Sequence, residues 1–305
     1  MTQLISPTKF TKTVGLLRSF FLDKGFEEVH TQNRLSILAA CEDPFNVATY
    51  NYAGQVWPLP QTGQMWLEHE LLSSPDSKGF FCVSTSYRQE PNAVEGRHDI
   101  IFPMFEFEMP GDVNDLKEME IELCKYLGFP ELSDQTYYKW ASDFDVEELD
   151  HEHEEKIGHG MITHFPEFTS PFWNMSRNTD GVTSKKIDVI LGGMETIGSA
   201  ERSTDVEQMR DTFHTITNGE YSELLFKLFG KDRVEAELEK FLEFDFFPRT
   251  GGGIGMTRMI SALDSLKKEK PMGMIQKGTS IPGPLMTSDD PGEVLVIDGK
   301  HVVAH

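Results

Sequence analysis

Basic residues are scarce in this chain. Against 50 Asp and Glu stand 28 Lys and Arg, a formal net charge of −22 over 305 residues. Such a surface repels phosphate backbones unless a local basic patch exists. The densest stretch, Lys267-Lys268-Glu269-Lys270, is short and mixed in sign. Acidity also suits a saline habitat, so the balance counts against a large nucleic-acid partner without excluding one. Cysteine is rare too. Cys41, Cys82 and Cys124 are far apart and odd in number, which implies a reducing compartment and no disulfide framework. No Cys-x-x-Cys pair is present to hold a structural zinc. No apolar run approaches the ~20 residues of a membrane span. Met1-Thr2-Gln3-Leu4-Ile5 lacks the basic and apolar regions of a secretory signal. A cytoplasmic protein without a membrane partner is expected. Internal repeats and low-complexity linkers are also missing, so residues 1–305 read as one domain.

The periodicity of apolar residues predicts the elements. Phe10, Val14, Leu17 and Phe21 mark one face of a helix over 7–24, closed by Gly25 and followed by a strand over 26–30. Residues 38–62 read as irregular and 64–72 as a short helix. Strands over 79–87 and 100–109 flank a polar loop, 89–99. A helix over 112–127 carries Leu116, Met119, Leu123 and Leu127 inward and stops at Gly128 and Pro130. Residues 131–160 are acidic and poorly periodic. Strands are expected over 161–165 and 187–191, helices over 201–218 and 222–241, then a strand over 244–249. A glycine turn and a helix over 255–266 follow, with a last strand over 293–297. Locally paired strands with interspersed helices indicate an α+β fold with an antiparallel sheet flanked by helices.

The most informative run is Arg249-Thr250-Gly251-Gly252-Gly253-Ile254-Gly255-Met256-Thr257-Arg258. Glycine lets a ligand approach the backbone because it has no Cβ. A guanidinium at the start of the following helix suits a polyphosphate or an adenine face. A dinucleotide fingerprint fails here. Its third glycine would fall at Met256 counting from Gly251, and at Arg258 counting from Gly253. Far upstream lies a second run: Tyr87-Arg88-Gln89-Glu90, Arg97-His98, Phe102, then Phe105-Glu106-Phe107-Glu108.

Together these runs resemble a family. Arg88 and Glu90, Arg97-His98, and Phe105 to Glu108 resemble motif 2 of class II aminoacyl-tRNA synthetases, spanning about 79–109. The glycine run resembles motif 3, about 245–266. The helix–strand pair through Gly25-Phe26-Glu27-Glu28-Val29 resembles motif 1, about 7–33. Within the family, Glu195-Thr196-Ile197-Gly198-Ser199-Ala200-Glu201-Arg202 resembles the Glu-x-x-Gly-Gly-Ser-x-Arg element of the aspartyl/asparaginyl/lysyl branch. Thr62-Gly63-Gln64-Met65-Trp66-Leu67-Glu68 is similar to an asparaginyl pattern.

The resemblance implies a class II catalytic fold, ATP as substrate, Mg2+ as cofactor and a homodimer formed through motif 1. Catalytic roles fall to Arg88 and Arg258. Arg88 would bridge the α-phosphate and the amino-acid carboxylate, as suits a bidentate, always-charged fork. Arg97 and His98 would hold the γ-phosphate end. Phe102 and Arg258 would sandwich the adenine, Glu90 would accept from its amino group, and Gly253 and Gly255 would let the nucleotide close to the backbone. Glu195 would hold Mg2+ with Gly198 beside it. Gln64, Glu68 and Arg202 would hold aspartate or asparagine, with Glu68 favouring an amide over a second carboxylate.

Plainer roles exist for the same residues. Arg88 and Glu90 could be a cross-strand surface pair. Glu106 and Glu108 alternate with Phe105 and Phe107, as on a solvated face. Glu195 and Arg202 could be a structural ion pair. Trp66 and Trp173 read as core. The run His151-Glu152-His153-Glu154-Glu155 reads as a solvated acidic loop more than a metal site.

The chain also departs from the family. Motif 1 begins within the first ten residues, so no anticodon-binding domain is expected. Ile101-Phe102 replaces the usual Glu-Phe of motif 2. Gln32-Asn33 replaces the proline after motif 1, and the tail lacks an Arg-rich ending. The resulting expectation is an AMP-forming ligase that activates aspartate or asparagine as an adenylate and passes it to ammonia or another small amine, as asparagine synthetase-like paralogues do. The alternatives are an aminoacyl-tRNA ligase of asparaginyl or aspartyl type, a ligase modifying a protein, or a non-catalytic amino-acid or nucleotide sensor.

Overall fold

Several helices in this chain begin where the sequence supplies a cap. A computed structural model describes residues 5–31, 37, 44–89, 99–169, 172–269, 296–297 and 300–301. Helix α1 (Pro7–Asp23) starts on a proline, whose fixed φ suits the first helical position. Strands β1 (Glu27–Glu28), β2 (Thr49–Tyr52) and β3 (Gln55–Pro58) precede helix α2 (Gln64–Ser73). The long strands β4 (Phe80–Tyr87) and β5 (Ile101–Pro110) lead into α3 (Val113–Leu127). A capping box opens α3: Asn114 N and Asp115 N donate to the Asp112 side chain, and Asp112 N donates to Asp115. Gly128 closes it in the left-handed region, φ 88°.

Next come β6 (Ser133–Thr136), α4 (Tyr137–Phe144), α5 (His151–Ile157) and β7 (His159–Pro166). Strands β8 (Thr183–Leu191) and β9 (Met194–Glu201) follow, then helices α6 (Val206–Thr215), α7 (Glu220–Phe229) and α8 (Lys231–Leu242). Strand β10 (Arg249–Gly255) runs straight into α9 (Met256–Glu269). A separate unit, 270–305, contributes strands β11 (Val296–Ile297) and β12 (Lys300–His301), an antiparallel pair.

One sheet organises residues 5–269, with strand order β1-β4-β5-β10-β9-β8-β7-β6. The outer pairs β1–β4 and β6–β7 are parallel and every internal pair is antiparallel. This is the expected antiparallel α+β architecture. One face packs on α1, α3 and α9. Phe21 of α1 meets Phe81, Phe105 and Phe107 at ring-centroid distances of 5.1–5.9 Å. Each such fully buried ring contributes about 1.5–3 kcal/mol. Helices α6, α7 and α8 enclose a second cluster with Met65, Leu72 and Trp173. Helices α4 and α5 cover the outer strands through Tyr137, Trp140 and Phe165. Trp66 and Trp173 are both buried, as expected.

Six expectations are corrected. The irregular stretch 38–62 holds the β2–β3 hairpin, turned by Ala53 and Gly54 at φ 50° and 78°, the positive pair a two-residue hairpin requires. The acidic stretch 131–160 folds as β6, α4 and α5, helices too short for periodicity to show. Thr136 caps α4, and Asp150 caps α5 in a second capping box with His153. The helix expected from 201 begins at Val206, because Glu201 still belongs to β9 and Asp205 is the cap. The helix expected over 222–241 is two, broken at Gly230, φ 90°. Finally, the glycine run is no turn: Arg249–Gly255 is a central strand, paired on both sides. The expected strand at 244–249 contributes only its last residue. Among the described residues no helix is long and apolar enough to cross a membrane.

Candidate active site

The register across the sheet decides what meets on its second face. Gly251, Gly253 and Gly255 oppose Glu108, Glu106 and Met104 of β5. On the other side Gly251 and Gly253 oppose Ala200 and Gly198 of β9. Gly198 and Ala200 in turn oppose Asp188 and Lys186 of β8. Opposed residues share a face, so carboxylates, glycines and a lysine line one side while the phenylalanines line the other.

The open part of this face is a cavity lined by Arg88, Asp99, Phe102, Met104, Glu195, Thr196, Gly198, Gly253, Gly255, Thr257 and Arg258. It brings together seven residues assigned from sequence to the nucleotide and metal: Arg88, Phe102, Glu195, Gly198, Gly253, Gly255 and Arg258. Arg88 follows the last residue of β4, where its N–H donates to Ile100 O at 2.8 Å. Its guanidinium lies 5.5 Å from the Phe102 ring centroid. Arg258, in the first turn of α9, donates to Glu195 O at 2.7 Å and approaches the Glu195 carboxylate at 3.7 Å. Two guanidiniums from distant segments thus border one glycine floor, which is suited to an anion. Glu90, Arg97 and His98 lie outside the described residues. Asp99, Met104, Thr196 and Thr257 were missed by sequence reasoning, although each adjoins a residue that was singled out.

Beside Gly198 two carboxylates converge. A Cβ at this position would meet Glu195 Oε1 at 3.0 Å and Asp188 Oδ1 at 3.6 Å. Asp188 Oδ1 is buried and accepts no hydrogen bond among the described residues. Burial raises the Asp188 carboxyl above the usual range, opposed by Lys186. An orphaned carboxylate oxygen next to a second carboxylate is the donor set a hard divalent cation takes, so the residues fit Mg2+. Asp188 was not singled out from sequence; its alternation with Ile187 and Val189 was the available signal.

The residues assigned to the amino acid are placed differently. Gln64 and Glu68, on α2, and Arg202, just after β9, are buried and do not line the cavity. Gln64 donates to Gly252 O at 2.8 Å and accepts from Arg202. Arg202 donates twice to Glu108 at 3.2 Å. Glu68 accepts from Arg249 at 2.8 and 3.0 Å and from Asn174 at 2.8 Å. Arg249, which heads the glycine run but had no role assigned from sequence, neutralises the charge on which the preference for an amide rested. Burial raises the Glu108 carboxyl, against the pull of Arg202. This network adjoins the cavity through β10, because Gly251 leaves the room that Glu108 fills.

Glu106 and Glu108 are fully buried, so theirs is not a solvated face. Burial raises the Glu106 carboxyl, opposed by hydrogen bonds from Ser84, Thr62 and Gly63, the last from N at 2.9 Å. Glu106 thereby ties the start of α2 to the sheet. The 151–155 run is helix α5 rather than a loop, and His153 is buried in its capping box. Among the described residues no cluster of three or more His, Cys, Asp or Glu is arranged to hold a metal. Cys82 and Cys124 are free and buried.

Residues 8–269 match the family described as tRNA synthetases class II (D, K and N). Among solved structures, asparaginyl-tRNA synthetase from Pyrococcus horikoshii complexed with asparaginyl-adenylate has a TM-score of 0.69 at 17% identity, over 85% of this chain and 65% of that one. The Entamoeba histolytica asparaginyl-tRNA synthetase gives 0.68 at 16% identity, over 84% and 63%. A putative aspartyl-tRNA synthetase from Leishmania major Friedlin gives 0.67 at 13%, over 85% and 62%. At these identities the likeness is one of fold, and the chain spans just under two thirds of each neighbour's length. No curated protein matches by sequence.

Proposed function

The chain belongs to the class II tRNA synthetases of the D, K and N group, and from that premise we propose that it is an ATP-dependent, AMP-forming ligase. The activated substrate is asparagine or aspartate. A carboxylate oxygen of the amino acid attacks the α-phosphorus of ATP, the bond to the bridging oxygen of the β-phosphate breaks, and pyrophosphate leaves. The observation that carries this reading is the convergence of Arg88 and Arg258 over Gly253, beside Glu195 and Phe102. Fixed guanidiniums stabilise charge that builds on the phosphates, and the cavity holds the reactants in line. Asp188 and Glu195 would hold Mg2+, which neutralises phosphate charge when bound. The neighbour that carries asparaginyl-adenylate supports an adenylate of that type here.

A tRNA acceptor is the reading the family favours, and it displaces the amine acceptor expected from sequence. Ammonia or a small amine remains a second reading on one observation, the net charge of −22, which opposes a polyanionic partner. Arg249 removes the charge argument for asparagine over aspartate, so both stand as substrates. The homodimer and the cytoplasmic setting are part of the same proposal. The two free thiols support a reducing compartment. The apolar side of α1 packs on its own sheet, so a dimer would use other surface.

Exchange of labelled pyrophosphate into ATP tests the first step. Asparagine or aspartate should support exchange and the other standard amino acids should not. Exchange with none of them would end the adenylate reading. Product analysis with total tRNA and, separately, with ammonia then identifies the acceptor.

A further inference from the structure

The carboxylates beside the cavity already hold a cation. Lys186 and Asp188 lie two residues apart on the same face of β8, and Lys186 Nζ sits 2.7 Å from Asp188 Oδ2. The lysine stem is largely covered, and its ammonium also lies 4.0 Å from the Phe165 ring centroid. Its other electrostatic neighbours are Glu195 and Glu154. Glu154, from α5, accepts the Glu195 backbone N–H at 3.0 Å. On the opposite side Arg258 approaches the Glu195 carboxylate at 3.7 Å. The two carboxylates nearest Gly198 are therefore each flanked by a permanent positive charge.

Resting on the nucleotide reading above, we infer that Lys186 is a tethered substitute for a divalent cation, so that this chain binds ATP with less dependence on Mg2+ than its carboxylates alone would dictate. The physical reason is partial compensation of the carboxylate charge. Mg2+ is held by uncompensated oxygen ligands and is repelled by a nearby ammonium. Lys186 takes Asp188 Oδ2 out of play and supplies the positive charge that would otherwise come from solution. One oxygen, Asp188 Oδ1, stays unpartnered next to Glu195, enough for one ion and short of a fully coordinated group of them. A covalently tethered ammonium cannot diffuse away, so its contribution to the potential over the cavity floor persists when divalent ions are removed.

Calorimetric titration of the full chain with ATP, in Mg2+ and in EDTA, tests this together with counting of bound Mn2+ by electron paramagnetic resonance. Wild type should bind in EDTA within about tenfold of its affinity in Mg2+. Lys186→Gln should lose at least about tenfold more in EDTA than in Mg2+ and bind additional Mn2+. Lys186→Arg, which keeps the charge, should behave as wild type. Wild-type binding abolished by EDTA would overturn the inference. So would a Lys186→Gln loss that is equal with and without the metal. Should Lys186→Gln fail to fold, wild type and Lys186→Arg decide the matter in EDTA. Absence of ATP binding even in Mg2+ would remove the nucleotide reading and this inference with it, whereas failure confined to EDTA leaves the nucleotide reading intact.

Discussion

Strand β5 separates two kinds of interior. Phe105 and Phe107 point to α1, Glu106 and Glu108 point to α2, and all four are fully buried. The phenylalanine side is held by apolar area and packing, which many shapes of side chain can supply. The glutamate side is held by named partners: Arg202 for Glu108, Arg249 for the adjoining Glu68, two hydroxyls and an N–H for Glu106. The first tolerates approximation. The second fails when one partner is lost, because a buried charge without its counter-ion is expensive.

Removal of one charge gives the largest effect. Arg249→Ala leaves Glu68 with Asn174 and the more distant Arg202, at 3.6 Å, and should lower unfolding stability by about 3–5 kcal/mol. Phe105→Ala should lower it by a similar amount, about 3–5 kcal/mol, through an unfilled cavity. Repair distinguishes them. Combining Arg249→Met with Glu68→Leu should restore most of the stability, because an apolar pair replaces an ion pair with little loss. Urea unfolding measures all three. Arg249→Ala within about 1 kcal/mol of wild type would show that the polar interior does not depend on its pairs.

Opening the polar side toward solvent moves the effect from stability to activity. Arg88 borders the cavity, so Arg88→Ala should reduce pyrophosphate exchange by about 10²–10³, or about 2.7–4 kcal/mol, while the melting temperature holds. A variant within about threefold of wild type would take Arg88 out of the mechanism.

The glycines of β10 divide along the same line. A Cβ at Gly251 would fall within the Glu108 carboxylate, so Gly251→Ala should cost about 1–3 kcal/mol of stability. At Gly253 the Cβ would crowd Met104 Cε, at 2.6 Å, the movable end of a flexible side chain, with Glu106 at an ordinary contact distance of 3.8 Å. Gly253→Ala should therefore fold normally and weaken ATP binding. The reverse pattern in thermal melts and titrations would misplace the boundary between network and cavity.

A dependence on pH comes from a carboxyl with no guanidinium among the groups acting on it. Burial pushes Glu120 of α3 up to about 8 from an ordinary 4.5, with Ser199 opposing and Asp188 adding to the shift. The folded chain keeps this proton where the unfolded chain has lost it. The resulting stability is complete below about pH 4.5 and is lost as pH rises toward 8. Melting temperature should fall over that window, and Glu120→Gln should flatten the fall. An unchanged pH profile in the variant would assign the dependence to other groups.

The same contrast explains what could be read from sequence. The aromatic side of the sheet announces itself by alternation, and helices α1 and α3 by long apolar faces with clear stops. The residues of the cavity came from two motifs whose chemistry is local: arginine next to a strand end, glycine before a helix. Partners across the fold left no such trace. Nothing near Glu68 in the chain points to Arg249 or Asn174, and nothing near Glu108 points to Arg202. Glu106 and Glu108 look solvent-facing until the covering α2 is in place. The triple glycine looked like a turn because glycine is a poor strand former; it is tolerated in β10 because neighbours on both faces fill the space a side chain would take.

A structure of the protein with bound ATP tests the central claim most directly. The nucleotide should lie over Gly253 and Gly255, with the guanidiniums of Arg88 and Arg258 both turned onto it. A nucleotide bound elsewhere, or one held by only one of the two arginines, would contradict it.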